Sequence, residues 1–227
     1  MAQQTIVEPI VDPTDDAAAR AVSATVLPWR ARVTPETPPV DLPAAERAAT
    51  ELLVALGQPV STDGMAETPR RMAQAYAEML TPGSFDFTTF ANVERYDELV
   101  LVQDIPVRSV CEHHMLPFVG VAHVGYLPAD RIVGLSKLAR LVEFYSHRAQ
   151  TQERLTQQIA EHLERHLDPR GVGVVIEAEH TCMSLRGVRA AGTRTVTSAL
   201  LGTLRTNPSS RAEFLSLTRG PRRGCQP

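Results

Sequence analysis

Residues 98–127, ELVLVQDIPVRSVCEHHMLPFVGVAHVGYL, decide the architecture. Two valine-rich runs within it, Glu98–Val110 and Phe118–Leu127, alternate in part between apolar and polar residues. That is the pattern of strands with one face buried. Further strands are predicted over Gly173–Cys182 and Thr193–Leu204, with Pro128-Ala129-Asp130 as a turn. Helical spacing surrounds them. Asp41 caps a first helix, with Pro43 in its first turn and Ala48, Leu52, Leu53 and Leu56 as a stripe that stops at Gly57. Thr68 is read as the N-cap of a second, with Pro69 at its first position and Met72, Tyr76 and Met79 as core, ending at Pro82-Gly83. Ser136 is read as capping a third, with Leu138, Leu141, Val142 and Tyr145 on one face. A fourth begins near Thr151, carries Leu155, Ile159 and Leu163, and ends at Asp168-Pro169-Arg170-Gly171. Ser210-Arg211-Ala212-Glu213 reads as a capping box opening a last short helix with Phe214 and Leu217. Two helices, strands, two helices, strands and a final helix give an α+β class, with antiparallel hairpins favoured over a doubly wound parallel sheet.

The chain has 227 residues and 43% hydrophobic residues, enough for one sizeable core with appendages. Its net charge of −3 offers no global attraction to nucleic acid or an acidic membrane. No apolar run approaches the roughly 20 residues of a membrane helix, and the start of the chain lacks a basic segment followed by an apolar one. A reducing cytoplasm is the expectation, where Cys111, Cys182 and Cys225 are thiols or metal ligands rather than structural disulfides. Residues 1–40, proline-rich and without sustained periodicity, read as a disordered tail with a weak helical signal at Asp15–Ser23. Residues 41–83 form the helical segment and 84–227 the catalytic domain.

Chemistry concentrates in two short segments, Cys111-Glu112-His113-His114 and His180-Thr181-Cys182. Cys111 and His114 are three apart, so one turn aims both at one point. Cys182 must be brought in by the fold. Two thiolates and one imidazole leave a fourth position for water, the pattern of a catalytic zinc site. A closed structural site would recruit Cys225, and a Cys111–Cys182 disulfide is the other alternative. If the strand runs unbroken to Cys182, its alternation puts His180 and Cys182 on the same face. His113 points elsewhere unless the backbone turns. Zinc lowers the pKa of bound water towards about 7, the range in which histidines exchange protons. The class is metal-assisted hydrolysis at an electrophilic carbon. His123, His147, His162 and His166 lack matching partners and are read as surface or structural.

Gly134-Leu135-Ser136-Lys137 leads into a helix with Arg140 on the same face as Lys137. A helix start with two cations suits an anion, although an ordinary exposed helix has the same residues. No G-x-x-x-x-G-K-[ST] occurs. Arg186 and Arg189 follow Cys182 closely, as phosphate forks or as plain surface arginines. Glu153 reads as compensation of a helix dipole or as an acceptor for a guanine edge.

CEHHMLPFVG, GLSKLARLVEFYSHRAQTQERLTQQI and EHTCMSLRGVR resemble the signature blocks of the GTP cyclohydrolase I family. With ETPRRMAQAY and SRAEFL, the resemblance spans about residue 45 to 219. It implies a T-fold, an antiparallel sheet with helices on one face, closed into a toroidal homodecamer with active sites between subunits. It implies the conversion of GTP and water to formate and 7,8-dihydroneopterin triphosphate, feeding pterin or folate synthesis. By position it implies Cys111, His114 and Cys182 as zinc ligands and His113 and His180 as the acid/base pair. Glu153 corresponds to the guanine anchor, with Gln152 and Ser136 near base or ribose. Lys137, Arg140, Arg186 and Arg71 correspond to triphosphate contacts. One departure is Gln74, where many members carry a basic residue one turn after the position of Arg71.

Overall fold

The structure, a computed structural model, describes residues 29–218. The weak helix at Asp15–Ser23 and Cys225 lie outside the described residues. Five strands form the main sheet, in the order β6-β3-β4-β7-β8. These are β3 (Val100–Cys111), β4 (Pro117–Leu127), β6 (Ala149–Gln150), β7 (Gly171–His180) and β8 (Thr195–Gly202). All pairings are antiparallel except β3 with β6. Helices α3 (Leu135–Ser146) and α4 (Gln152–Leu167) cover one face. A second, three-stranded sheet of β1 (Trp29–Val33), β2 (Phe85–Ala91) and β5 (Arg131–Val133) lies against those helices. Phe85 meets Phe144 of α3 and Phe87 meets His162 of α4 edge to face. The α+β class is as expected.

Alternation explains the core. On β7, Val172, Val174, Ile176 and Ala178 face the helices, on the same side as Phe118, Ala122, Val124 and Tyr126 of the paired β4. From the helices come Leu138, Leu141, Val142, Leu155, Ile159 and Leu163. Strand β3 changes phase midway. Val102 pairs with Val124 but Ile105 with Ala122, so an extra residue is accommodated there, with Asp104 at φ 55°. Before this bulge the even positions face the helices; after it, Ile105, Val107 and Cys111 do. A one-residue slip exchanges the faces of a strand, so this bulge turns Cys111 inward.

Several local expectations are corrected. Residues 29–33, placed in the tail, form β1, because Trp-Arg-Ala-Arg-Val finds an edge on β2 to pair with. Strand β7 stops at His180, and Thr181–Ser184 forms a helical turn, α5. The Thr181 hydroxyl donates to Pro117 O at 2.6 Å and Leu185 N donates to Thr181 O, which closes that turn. Helix α2 (Thr68–Leu80) has Glu67 rather than Thr68 as its N-cap, and α3 has Gly134 rather than Ser136. The last helix, α7 (Pro208–Thr218), follows α6 (Thr203–Thr206); Asn207 Oδ1 accepts from Ser209 N and Ser210 N, a cap three residues earlier than the expected box. Asp41 caps as expected, and the helix expected near Thr151 is capped by Thr151 itself; each accepts from the backbone three residues on.

The other face of the main sheet is covered only in part. Phe214 of α7 is fully buried with Leu127, Val175 and Leu204. It rests on Gly173, where a Cβ would come within 2.6 Å of its ring. Beyond it Val119 (49% exposed) and Val196 (61% exposed) stand bare. The stripe of α1 (Leu42–Ala55) is likewise open: Leu52 is 47% exposed and Leu56 lies bare just past its end. Among the described residues no helix is long and apolar enough to cross a membrane.

Candidate metal centre and active site

The β3–β4 connection builds half of the centre. Cys111 N donates to Leu116 O at 2.8 Å, and Met115 N returns to Cys111 O at 2.8 Å, with Met115 at φ 54°. This tight loop folds His114 back so that its Nδ1 lies 3.9 Å from Cys111 Sγ. Helix α2 braces it from outside, where Tyr76 donates to Met115 O at 3.0 Å. Helical turn α5 supplies the other half, Cys182. The ligand atoms of Cys111, His114 and Cys182 all lie within 4.8 Å of one another. A tetrahedral zinc with Zn–S near 2.3 Å holds its sulfurs roughly 3.7 Å apart, so this donor set fits the ion with small adjustment. Burial first, and then the neighbouring Cys111 sulfur, push the Cys182 thiol up. Two thiols in a site this close are stabilised as thiolates by a cation between them. Both cysteines are free in this structure.

His180 ends β7 opposite Phe118 and stacks on that ring, centroids 4.5 Å apart and planes 12° apart. Burial lowers its pKa, opposed by the charge of Glu153. Its Nε2 lies 2.9 Å from Gln152 Oε1. Gln152 and Glu153 open α4 behind Thr151. Gln152 is buried and Glu153 exposed. His113 is exposed, with Nδ1 3.8 Å from Cys111 Sγ and Nε2 3.9 Å from Glu112. Arg154 ties Glu112 down while bonding Gln150 Oε1 and Ala149 O. Arg186 is exposed and close enough to favour the Cys182 thiolate.

Cys111, His113, His114, Gln152, Glu153, His180, Cys182 and Arg186 are thus gathered at one end of the sheet. Ser136 and Lys137 are not. They stand in the first turn of α3, beside Gly134, which bonds Thr88 O of β2. The far end of α3 leads to β6, which pairs with Cys111. Twelve helical residues separate the two ends, about 18 Å at 1.5 Å per residue. Arg140 sits partway along α3, and Arg71 is exposed on α2. Gln74 accepts from Arg70 at 3.2 Å.

A sequence model of GTP cyclohydrolase I matches residues 45–219. The chain belongs to the GTP cyclohydrolase I family. GTP cyclohydrolase 1 of Mycobacterium tuberculosis (strain ATCC 25618 / H37Rv) is 54% identical over 178 residues, covering 76% of this chain and 88% of that protein. GTP cyclohydrolase 1 of Thermobifida fusca (strain YX) is 50% identical over 188 residues, covering 81% and 91%. A solved structure, the archaeosine synthase QueF-Like in the apo form, gives a TM-score of 0.39 at 19% identity over 46% of this chain and 93% of that one, a likeness too slight to carry an argument. This GTP cyclohydrolase I family member is an enzyme, a hydrolase of pterin and folate biosynthesis.

Sequence reasoning did not single out Phe118, Glu112, Arg154 or Thr197 around the site, and read Tyr76 as core only. Each acts through a partner far away in the chain, as Phe118 on His180 and Tyr76 on Met115. Glu112 alone carried a local signal, standing inside the ligand motif.

Proposed function

We propose that this chain binds zinc through Cys111, His114 and Cys182. With it the enzyme hydrolyses GTP to formate and 7,8-dihydroneopterin triphosphate. The observation that carries the reading is the convergence of those three donors within 4.8 Å beside His180. A bound zinc supplies Lewis acidity and a water acidic enough to act near neutral pH.

The chain's own residues do the rest. Glu153, at the open start of α4, accepts from the N–H groups of the guanine edge and holds the base over the centre. His180 and His113 accept and return protons at the ring nitrogens as the bonds to the carbon between them break. The stack on Phe118 keeps the His180 ring from swinging, which preserves its alignment through both hydrolytic steps. Arg186 neutralises charge next to Cys182. Two waters attack and one is released on reclosure, so one water is consumed for each formate.

Ser136, Lys137, Arg140 and Arg71 serve the ribose and triphosphate. The span of α3 keeps Ser136 and Lys137 from the metal donors of their own chain, so those of a neighbouring copy complete the site. The exposed apolar residues Val119, Val196, Leu52 and Leu56 support assembly. We accordingly propose a T-fold subunit (helical segment 41–83, catalytic domain 84–227) within a toroidal homodecamer in the cytoplasm. Residues 1–28 stand outside its catalytic machinery.

Incubating the purified zinc-loaded protein with GTP tests this. Equimolar formate and a product that fluoresces after oxidation are expected. An intact, metal-loaded oligomer that yields neither would overturn the proposal.

A further inference from the structure

Gln152 is 2% exposed and touches no open surface, although it adjoins Glu153. Its Nε2 lies 3.0 Å from Ile176 O, 3.0 Å from Thr195 O and 3.2 Å from Thr197 Oγ1. Two of these are carbonyl oxygens, which only accept. Turning the amide over would set Oε1 against both, leaving buried acceptors facing an acceptor, a costly arrangement. The amide therefore has one orientation, and Oε1 is the atom that meets His180 Nε2 at 2.9 Å. An amide oxygen only accepts, so His180 Nε2 must carry the hydrogen.

The surrounding hydroxyls agree. Thr156 Oγ1 donates to Gln152 O at 2.7 Å and lies 2.6 Å from Thr197 Oγ1. With its hydrogen spent on Gln152 O, Thr156 accepts from Thr197. Thr197 then has a lone pair left for the Gln152 amide. The bonds run in one direction round a ring, Gln152 Nε2 to Thr197 to Thr156 to Gln152 O, and no hydrogen is left over. The ring ties the start of α4 to β8 and holds the amide from behind, while Phe118 holds the imidazole plane.

We propose that Gln152 is a positioning residue rather than a substrate contact. It locks His180 as the tautomer with hydrogen on Nε2 and leaves Nδ1 as the only nitrogen that exchanges protons with substrate. The bond to Gln152 holds Nε2 as a donor, which leaves Nδ1 as the nitrogen without that partner. The catalytic part of this inference rests on the reading of His180 as acting on GTP; the tautomer does not.

Two experiments test it on the zinc-loaded, assembled protein. Gln152→Ala is expected to lower kcat about 10- to 100-fold, the scale of loss when a hydrogen bond that orients a metal-ligating histidine is removed, with the KM for GTP and the zinc content unchanged. Thr197→Val, which removes one of the three acceptors, is expected to show a smaller fall of the same kind and guards against an unfolded Gln152 variant. A raised KM with kcat retained would make Gln152 a substrate contact and overturn the proposal. Neutron diffraction of the unmutated protein at alkaline pH should show deuterium on His180 Nε2 and none on Nδ1. Deuterium on Nδ1 with Nε2 bare would overturn it whatever the activity. A wild-type protein that makes no formate would defeat the catalytic reading while leaving the tautomer decided by the nuclear map.

Discussion

Acidification should weaken this protein through one histidine remote from the metal centre. His162, on the buried face of α4, is 3% exposed. Burial first, then the stacked His166 and the Arg165 charge, lower its pKa from 6.5 to about 3. The groups facing it supply no anion: the Tyr145 hydroxyl lies 3.1 Å from Nδ1, His166 stacks at 4.1 Å and Phe87 meets it edge to face. The folded state therefore keeps His162 neutral while the unfolded chain protonates it. Between those two pKa values the unfolded state binds more protons, so stability falls as pH falls through that window. A shift from 6.5 to about 3 sets a ceiling of about 5 kcal/mol at 1.36 kcal/mol per pKa unit. By pH 5 roughly 2 kcal/mol of it should be lost relative to pH 7.5. The assay is urea unfolding at fixed protein concentration, comparing wild type with His162→Gln, which keeps an acceptor for Tyr145. Any constant packing cost of the variant cancels in the comparison of slopes. The same holds for carboxylates and metal ligands, which titrate alike in both proteins. The variant should lose about 2 kcal/mol less than wild type over that range. Parallel pH dependences would refute the reasoning.

Cys182→Ser should lose bound zinc and formate production together, as read by elemental analysis and the GTP assay; a fully metallated variant would remove Cys182 from the ligand set. His180→Ala should retain its zinc and lose turnover by at least 100-fold, the low end of what general acid–base catalysis contributes; release of zinc would instead make His180 a ligand. Gly173→Ala drives a methyl group to within 2.6 Å of the Phe214 ring. It should destabilise the fold by about 1–3 kcal/mol by lifting α7, seen as a lower unfolding midpoint with unchanged zinc content.

Local order was legible wherever a residue acts on its near neighbours. Asp41 caps its helix from three residues away, and Cys111 and His114 share one tight loop, so spacing alone announced them. The even positions of β7 do share the face turned to the helices, because strand side chains alternate. Alternation failed at His180, where the Thr181 bond to Pro117 O ends the strand and a helical turn carries Cys182 instead. Strands β1 and β2 went unread because each is defined by the other's edge and by the helices beneath.

The amino-acid sequence determined which atoms could bind a metal and which two segments hold them, because ligand chemistry belongs to the side chain. Only the tertiary structure decided that the bulge in β3 turns Cys111 inward, that Cys182 reaches it, and that Gln152 is enclosed behind His180. It also set Ser136 and Lys137 a helix length from the centre. Strand register and the packing of the helices on the sheet fix those relations across tens of residues, and neither is recorded in the spacing of neighbouring residues.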